Sequence, residues 1–130
     1  MIVTDASVLV PALADDGPAG SRVRDRLRHE ELVAPEILDI EFVSVLRRLV
    51  RVRQLSAGRA LQALHELRAS SLHRQTHRPL LGRIWDLRDN LSAYDAAYVA
   101  MAEELGAVLL TFDRGIVGAP GIRCNVELLS

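Results

Sequence analysis

The chain has 130 residues, of which 49% are hydrophobic, and its 16 basic side chains nearly balance its 17 acidic ones. This length predicts a single domain over residues 1–130, because single cores run to roughly 100–200 residues. The single cysteine excludes a disulfide framework and a zinc site built from several thiolates. No apolar stretch approaches the roughly 18 residues that span a bilayer, and no signal peptide is evident. We therefore expect a cytoplasmic protein without a membrane segment.

All of the basic residues are arginine, and the sequence contains no lysine. The absence of lysine excludes a P-loop, a pyridoxal Schiff base and a lysine general base. Charge is unevenly spread, because residues 22–88 hold fourteen arginines and eight acids, a net of +6, whereas the rest holds two arginines and nine acids, a net of −7. This separation indicates either a polyanion-binding surface near an acidic site or ordinary solvated helix faces.

Short apolar strands alternate with longer segments of helical period. Strands are predicted at Met1–Thr4, Leu32–Ala34, Leu72–Gln75, Ala107–Thr111 and Ile122–Val126. Among the helical segments, Leu38, Phe42 and Val45 begin one apolar stripe, and Ser56 and Gly106 are expected to cap two other helices. This alternation predicts an α/β fold with a parallel sheet of about four to five strands, covered on both faces. In such sheets the ligand site lies beyond the carboxyl ends of the strands.

Four acidic residues are candidates for that edge. Asp5 directly follows the first strand, and Asp113 follows the fourth by two residues. Asp95 occupies the first turn of a helix that begins near Ser92, and Glu41 lies inside a helix beside its apolar stripe. A carboxylate beside the core needs a partner, because an unpaired buried charge is costly. Converging carboxylates favour a hard divalent cation, Mg²⁺ or Mn²⁺ rather than zinc.

Three of these acids also have purely structural explanations. Asp5 is placed to N-cap the first helix, Asp95 to complete a capping box with Ser92, and Asp113 to form a turn. Glu41 has no such explanation, because a residue inside a helix has no capping role.

Arg47, Arg48, Arg51 and Arg53 crowd the end of the helix that carries Glu41. Arginine binds phosphate groups bidentately, so the cluster is suited to a nucleic-acid backbone. The same cluster also suits solubility and the helix dipole, and the sequence leaves both interpretations open.

The chain resembles a PIN-domain ribonuclease, and among these the VapC-type toxin of a VapBC toxin–antitoxin pair. The matching segments are VTDASVLV around Asp5, APEILDIEFVSVLRR around Glu41, and LSAYDAAYVAMAEELGAVLLTFD around Asp95 and Asp113. The resemblance runs from the first strand to about Gly115, and its long third segment is the most specific.

The resemblance implies a PIN-like α/β/α sandwich, an Mg²⁺-dependent nuclease site in which Mn²⁺ can substitute, and a cognate VapB-like antitoxin. It places four acids in catalytic and metal-binding positions and two hydroxyl residues in supporting ones: Asp5, Glu41, Asp95 and Asp113, with Thr111 and Ser7. Ser44 stands where many relatives carry asparagine.

We therefore predict a metal-dependent endoribonuclease that hydrolyses structured RNA of the tRNA or rRNA class and acts as a toxin. A homodimer is also expected, and the apolar runs Val8–Ala14 and Leu61–Leu67 are read as surface for self-association. Aromatic residues make up only 4% of the chain, which argues against RNA recognition by base stacking. The alternative is a non-catalytic acidic-pocket domain of the same fold that only binds RNA or a partner protein.

Overall fold

Strands and helices alternate along the chain in the computed structural model, which describes residues 1–130. The strands are β1 (Ile2–Thr4), β2 (Leu32–Pro35), β3 (His73–Gln75), β4 (Val108–Thr111) and β5 (Val126–Leu128). The helices are α1 (Ala6–Ala14), α2 (Pro18–Leu27), α3 (Ile37–Arg51), α4 (Ala57–Ala69), α5 (Leu81–Asp86), α6 (Ala93–Leu105) and α7 (Arg114–Val117), with a 3-10 turn at Arg78–Leu80. No helix has the length and apolar character that crossing a membrane requires.

All five strands pair in parallel, in the order β3-β2-β1-β4-β5. The chain moves outward from β1 to β3 and then crosses back to β4, so the strand order reverses between β1 and β4. At such a reversal a crevice opens beyond the carboxyl ends of the strands. The predicted α/β class and parallel sheet are confirmed, and the crevice lies where Asp5 and Asp113 leave their strands.

Helices cover both faces of the sheet. Side chains alternate between the two faces along a strand, so neighbouring strand residues pack into different apolar clusters. Ile2 and Leu110 join a small apolar cluster with Val8 of α1 and Val23 of α2. Their neighbours along the strands, including Val3, belong to the larger core that contains α6. This arrangement is a three-layer α/β/α sandwich.

The predicted helix caps are confirmed. Ser56 Oγ accepts a hydrogen bond from the Arg59 amide, and Ser92 Oγ accepts one from the Asp95 amide, both at 3.1 Å. Gly106 ends α6 in the left-handed region at φ 61°, which a residue without a Cβ adopts at little cost. α6 has the longest continuous buried run of the helices, since all seven residues of 96–102 are buried.

The fifth strand lies later in the chain than predicted. The sequence predicts Ile122–Val126, but β5 spans Val126–Leu128. At Arg123 the amide donates a 2.7 Å hydrogen bond to Glu103 Oε2 of α6, and bonding to β4 begins only at Asn125, whose carbonyl accepts the Leu109 amide at 2.9 Å. Cys124 still packs against the core, which explains the apolar pattern that suggested a strand.

The apolar run in α1 does not form a free surface. Val8, Leu9 and Val10 are at most 4% exposed because the sheet and the neighbouring helices cover them. In the second run Leu61 is 56% exposed and Leu67 is buried. The interpretation of the α1 run as surface for self-association is therefore wrong.

Candidate active site

Asp5 is the most buried of the four acids, with 8% of its surface exposed. It occupies the N-cap position of α1, but its side chain does not cap that helix. Instead Oδ1 accepts a hydrogen bond from Ser7 Oγ and Oδ2 accepts one from Thr111 Oγ1, both at 2.6 Å. The two hydroxyls therefore fix the carboxylate at the strand reversal.

The same two hydroxyls position the chain that follows β4. Ser7 Oγ accepts the Phe112 amide and Thr111 Oγ1 accepts the Asp113 amide, both at 3.0 Å. Asp113 then N-caps α7 by accepting the Gly115 amide at 2.8 Å through Oδ1. Each hydroxyl thus links Asp5 to the backbone that carries Asp113.

Glu41 enters the site from the second turn of α3. Its Oε1 accepts a 2.5 Å hydrogen bond from the hydroxyl of Tyr98 on α6, whereas Oε2 makes no hydrogen bond within the chain. Tyr98 is 1% exposed, so its hydroxyl holds the Glu41 side chain from inside the protein. The partner that a carboxylate beside the core requires is therefore a tyrosine.

Tyr98 is the residue of the site that the sequence did not identify. The pattern of apolar residues correctly places it on the inner face of α6, where a tyrosine is most simply a packing residue. The only sequence signal for a role of Tyr98 in the site is its position one turn after Asp95. Its contact with Glu41 leaves no local signal, because the two residues are 57 positions apart in the chain.

The structure brings all four predicted acids together, with Ser7, in one cleft of about 890 Å³. None of the four forms an ion pair, although six other acidic residues of the chain pair with arginine. Partly buried carboxylates without a cationic partner are costly, because desolvation and mutual repulsion both oppose ionisation. The cleft is therefore built to receive positive charge.

Burial raises the pKa of Asp5, Glu41 and Asp95 above the ordinary values for these groups. Repulsion from neighbouring carboxylates adds to this effect: Asp113 acts on Asp5, Asp5 acts on Glu41, and all three other acids act on Asp95. At Asp5 the two hydroxyl hydrogen bonds lower the pKa without cancelling the effect of burial.

The donor set of the cleft fits a hard divalent cation, since it consists of carboxylate and hydroxyl oxygens. No three histidine, cysteine or acidic side chains of the chain approach closely enough to enclose an ion by themselves. Mg²⁺ usually keeps several waters and binds one or two carboxylates directly. The geometry therefore fits a partly hydrated ion and does not fit a closed all-protein cage.

The PIN-domain family model matches residues 2–121. The chain belongs to this family. It is 39% identical over 129 residues to ribonuclease VapC9 of Mycobacterium tuberculosis, covering 99% of this chain and 98% of that one. Ribonuclease VapC1 of the same organism is 38% identical over 128 residues, covering 98% and 96% of the two chains. The chain is thus a VapC-type member of the family.

Solved structures of PIN domains share the fold at low sequence identity. PAE2754 of Pyrobaculum aerophilum superposes with a TM-score of 0.71 at 21% identity, covering 98% of this chain and 83% of that one. M. tuberculosis VapC20, a sarcin-ricin loop cleaving toxin, gives 0.67 at 17% identity, with 95% and 99% covered. VapBC2 from Rickettsia felis, bound to promoter DNA, gives 0.66 at 14% identity with both chains fully covered.

The raised pKa values predict that the metal-free PIN domain loses stability as the pH rises above the ordinary pKa values of these carboxyls, 3.8 to 4.5. A carboxyl whose pKa is higher in the folded state binds its proton more tightly there, so folding is favoured at low pH. The lowered pKa values of Glu103 and Glu127 act in the opposite direction, but only below their ordinary value of 4.5. The two effects therefore occupy separate pH ranges.

The variant Asp95→Asn tests this prediction, because it removes the charge that all three other acids repel and keeps the Ser92 cap. We expect its melting temperature in chelator at pH 7.5 to rise by roughly 3 °C, the shift that about 1 kcal/mol produces in a chain of this size. The slope between pH 5 and 8 becomes shallower. Asp89→Asn, on an exposed carboxylate outside the cleft, is the control. Equal melting curves for the two variants would refute repulsion in the cleft.

Proposed function

We propose that the chain, as a single domain over residues 1–130, is a divalent-metal-dependent endoribonuclease that acts as the toxin of a VapBC-type pair. The observation that carries this proposal is the convergence of four unpaired carboxylates at the strand reversal of a PIN domain. Relatives that match it over nearly the whole chain bear the name ribonuclease, which supports RNA as the substrate. Retention of all four acids favours an enzyme over the non-catalytic binding domain.

In the proposed mechanism Asp5, Asp95 and Asp113 hold the cation, directly or through its waters. When bound there, a divalent ion would supply the positive charge that polarises the scissile phosphate and lowers the pKa of an attacking water. Ser7 and Thr111 keep the Asp5 carboxylate in place before the ion arrives. Such preorganised charge costs no rearrangement when the reaction occurs.

Glu41 is proposed to orient the attacking water and to accept its proton. The tyrosine hydroxyl fixes Oε1, which leaves Oε2 as the oxygen available to a water molecule. The raised pKa of Glu41 brings it closer to the range in which a carboxylate is an effective general base at neutral pH.

Structured RNA of the tRNA or rRNA class is the proposed substrate. Among the aromatic residues only Tyr98 lines the cleft, and its ring is buried, so base stacking is not available there. Recognition then depends on RNA shape and backbone contacts. The structurally similar VapC20 is a sarcin-ricin loop cleaving toxin, which supports a structured RNA loop as the target of this chain.

Cleavage of total RNA by the purified protein tests the catalytic proposal. We expect the parent chain to cleave RNA with Mg²⁺ or Mn²⁺ and not in excess chelator. We expect cleavage by Asp5→Asn and by Asp113→Asn to be slower by a factor of about 100 or more. Asp89→Asn serves as the matched control and is expected to cleave like the parent chain. Sequencing of the new 5′ ends identifies the RNA and the cut site. Parental turnover by Asp5→Asn would contradict the mechanism, and RNA binding without any cleavage would favour the binding-domain alternative.

A VapB-like antitoxin is the proposed partner, and VapBC2, a similar structure, supports it. We expect expression of this chain alone to arrest bacterial growth, and the product of the reading frame beside its gene to relieve the arrest. Asp5→Asn is expected to abolish toxicity while still forming a complex with that product, as measured by co-purification. Growth arrest by Asp5→Asn as strong as by the parent chain would contradict a nuclease toxin. The homodimer implied by the resemblance stays a prediction.

A further inference from the structure

Five of the sixteen arginines form ion pairs with carboxylates, and eleven do not. The paired arginines are Arg26, Arg28, Arg59, Arg74 and Arg83. Arg47, Arg48 and Arg51, in the last turns of α3, are exposed and form no ion pair. We call these three residues the α3 ridge. Three neighbouring guanidinium groups without a carboxylate partner leave their positive charge free for a ligand.

The α3 ridge is continuous with the acidic cleft. Arg48 lines the cleft together with the four acids. It also lines an adjoining hollow with Arg47 and Arg51, and Ser44 and Val45 belong to both depressions. The depression at the carboxylates therefore adjoins the hollow along α3, so a ligand seated in the first has surface beside it on which to extend.

Helical geometry aligns Arg48 with Glu41. Seven residues separate the two, so Arg48 lies within about 20° of Glu41 around α3 and about 10 Å further along the axis. Arg51 lies about 15 Å along the axis from Glu41. The two arginines thus lie on the same side of the acidic centre, one further along α3 than the other.

We propose that Arg48 and Arg51 bind the RNA phosphates on one side of the scissile bond and so position the strand in the cleft. This inference rests on the proposed ribonuclease function. A polyanion needs cationic contacts outside a centre that is itself acidic, and arginine binds phosphate oxygens bidentately. These contacts fix the position of the backbone and carry no base specificity.

A simpler role for the same residues is to complement the dipole at the end of α3. Arg68 separates the two explanations, because it is an exposed arginine in the last turn of α4 and lies outside the cleft and the hollow. If only the dipole matters, loss of Arg68 and loss of the ridge arginines have the same kind of effect, which is confined to stability. Only phosphate binding predicts a difference in RNA affinity.

The test compares Arg48→Gln/Arg51→Gln with Arg68→Gln, since glutamine has a helix propensity close to that of arginine. RNA affinity is measured by salt titration in excess chelator and in the Asp5→Asn background, in which cleavage is not expected, using the RNA that the parent chain cleaves. We expect the double variant to bind at least tenfold more weakly and its salt slope to fall by about 1.4, at 0.7 per lost contact to single-stranded phosphate. Arg68→Gln binds like the parent.

Single-turnover cleavage by the same variants with Asp5 intact supplies the second readout. The double variant is expected to need at least tenfold more protein for half-maximal rate and to keep the rate at saturation within twofold. Equal affinity and salt slope for the double variant and Arg68→Gln would overturn the proposal. So would parental RNA affinity combined with weaker antitoxin binding, because the ridge would then be a partner surface. If the parent chain itself cleaves no RNA, the proposed function fails. This result is distinct from the two outcomes that overturn only the role of the α3 ridge.

Discussion

The pair of hydroxyl hydrogen bonds to Asp5 is the interaction on which the site depends. Ser7 and Thr111 approach opposite oxygens of one buried carboxylate, from α1 and from the end of β4. The same hydroxyls accept the amides of Phe112 and Asp113, so the strand reversal becomes a rigid frame that holds two acids. The frame satisfies the hydrogen-bonding needs of Asp5 but leaves its charge unneutralised, which is the property a cation site requires.

The other elements add acids to this frame from different directions. α3 supplies Glu41, which accepts a hydrogen bond from the buried Tyr98 hydroxyl. α6 supplies Asp95 from its first turn. Each added carboxylate raises the free energy of the metal-free fold, because none has a cationic side chain as partner. The chain compensates with a large apolar core, in which α6 is buried along most of its length. Stability is thus supplied by the core, and the cleft is left free for chemistry.

The sequence predicted the elements that have local signals, namely the apolar strands, the helix caps at Ser56, Ser92 and Gly106, and the acids at the strand ends. The sequence predicted β5 too early in the chain. Cys124 packs against the core, so the residues around it have the apolar pattern of a strand although β5 begins only after them. The sequence did not reveal the hydrogen bond between Tyr98 and Glu41 or the continuity of the α3 ridge with the cleft. Both depend on how distant elements pack, and no local pattern records that.

Stabilisation by divalent cations tests the central claim, that the four carboxylates form one cation site, most directly. Because a ligand that binds only the folded state stabilises it by RT ln(1 + [L]/Kd), Mg²⁺ at 100 times Kd contributes about 2.7 kcal/mol. We expect Mg²⁺ or Mn²⁺ to raise the melting temperature of the parent chain and of Asp89→Asn saturably. The same titration leaves Asp5→Asn and Asp113→Asn nearly unchanged. An equal rise in all four proteins, or no rise in the parent chain, would contradict this claim.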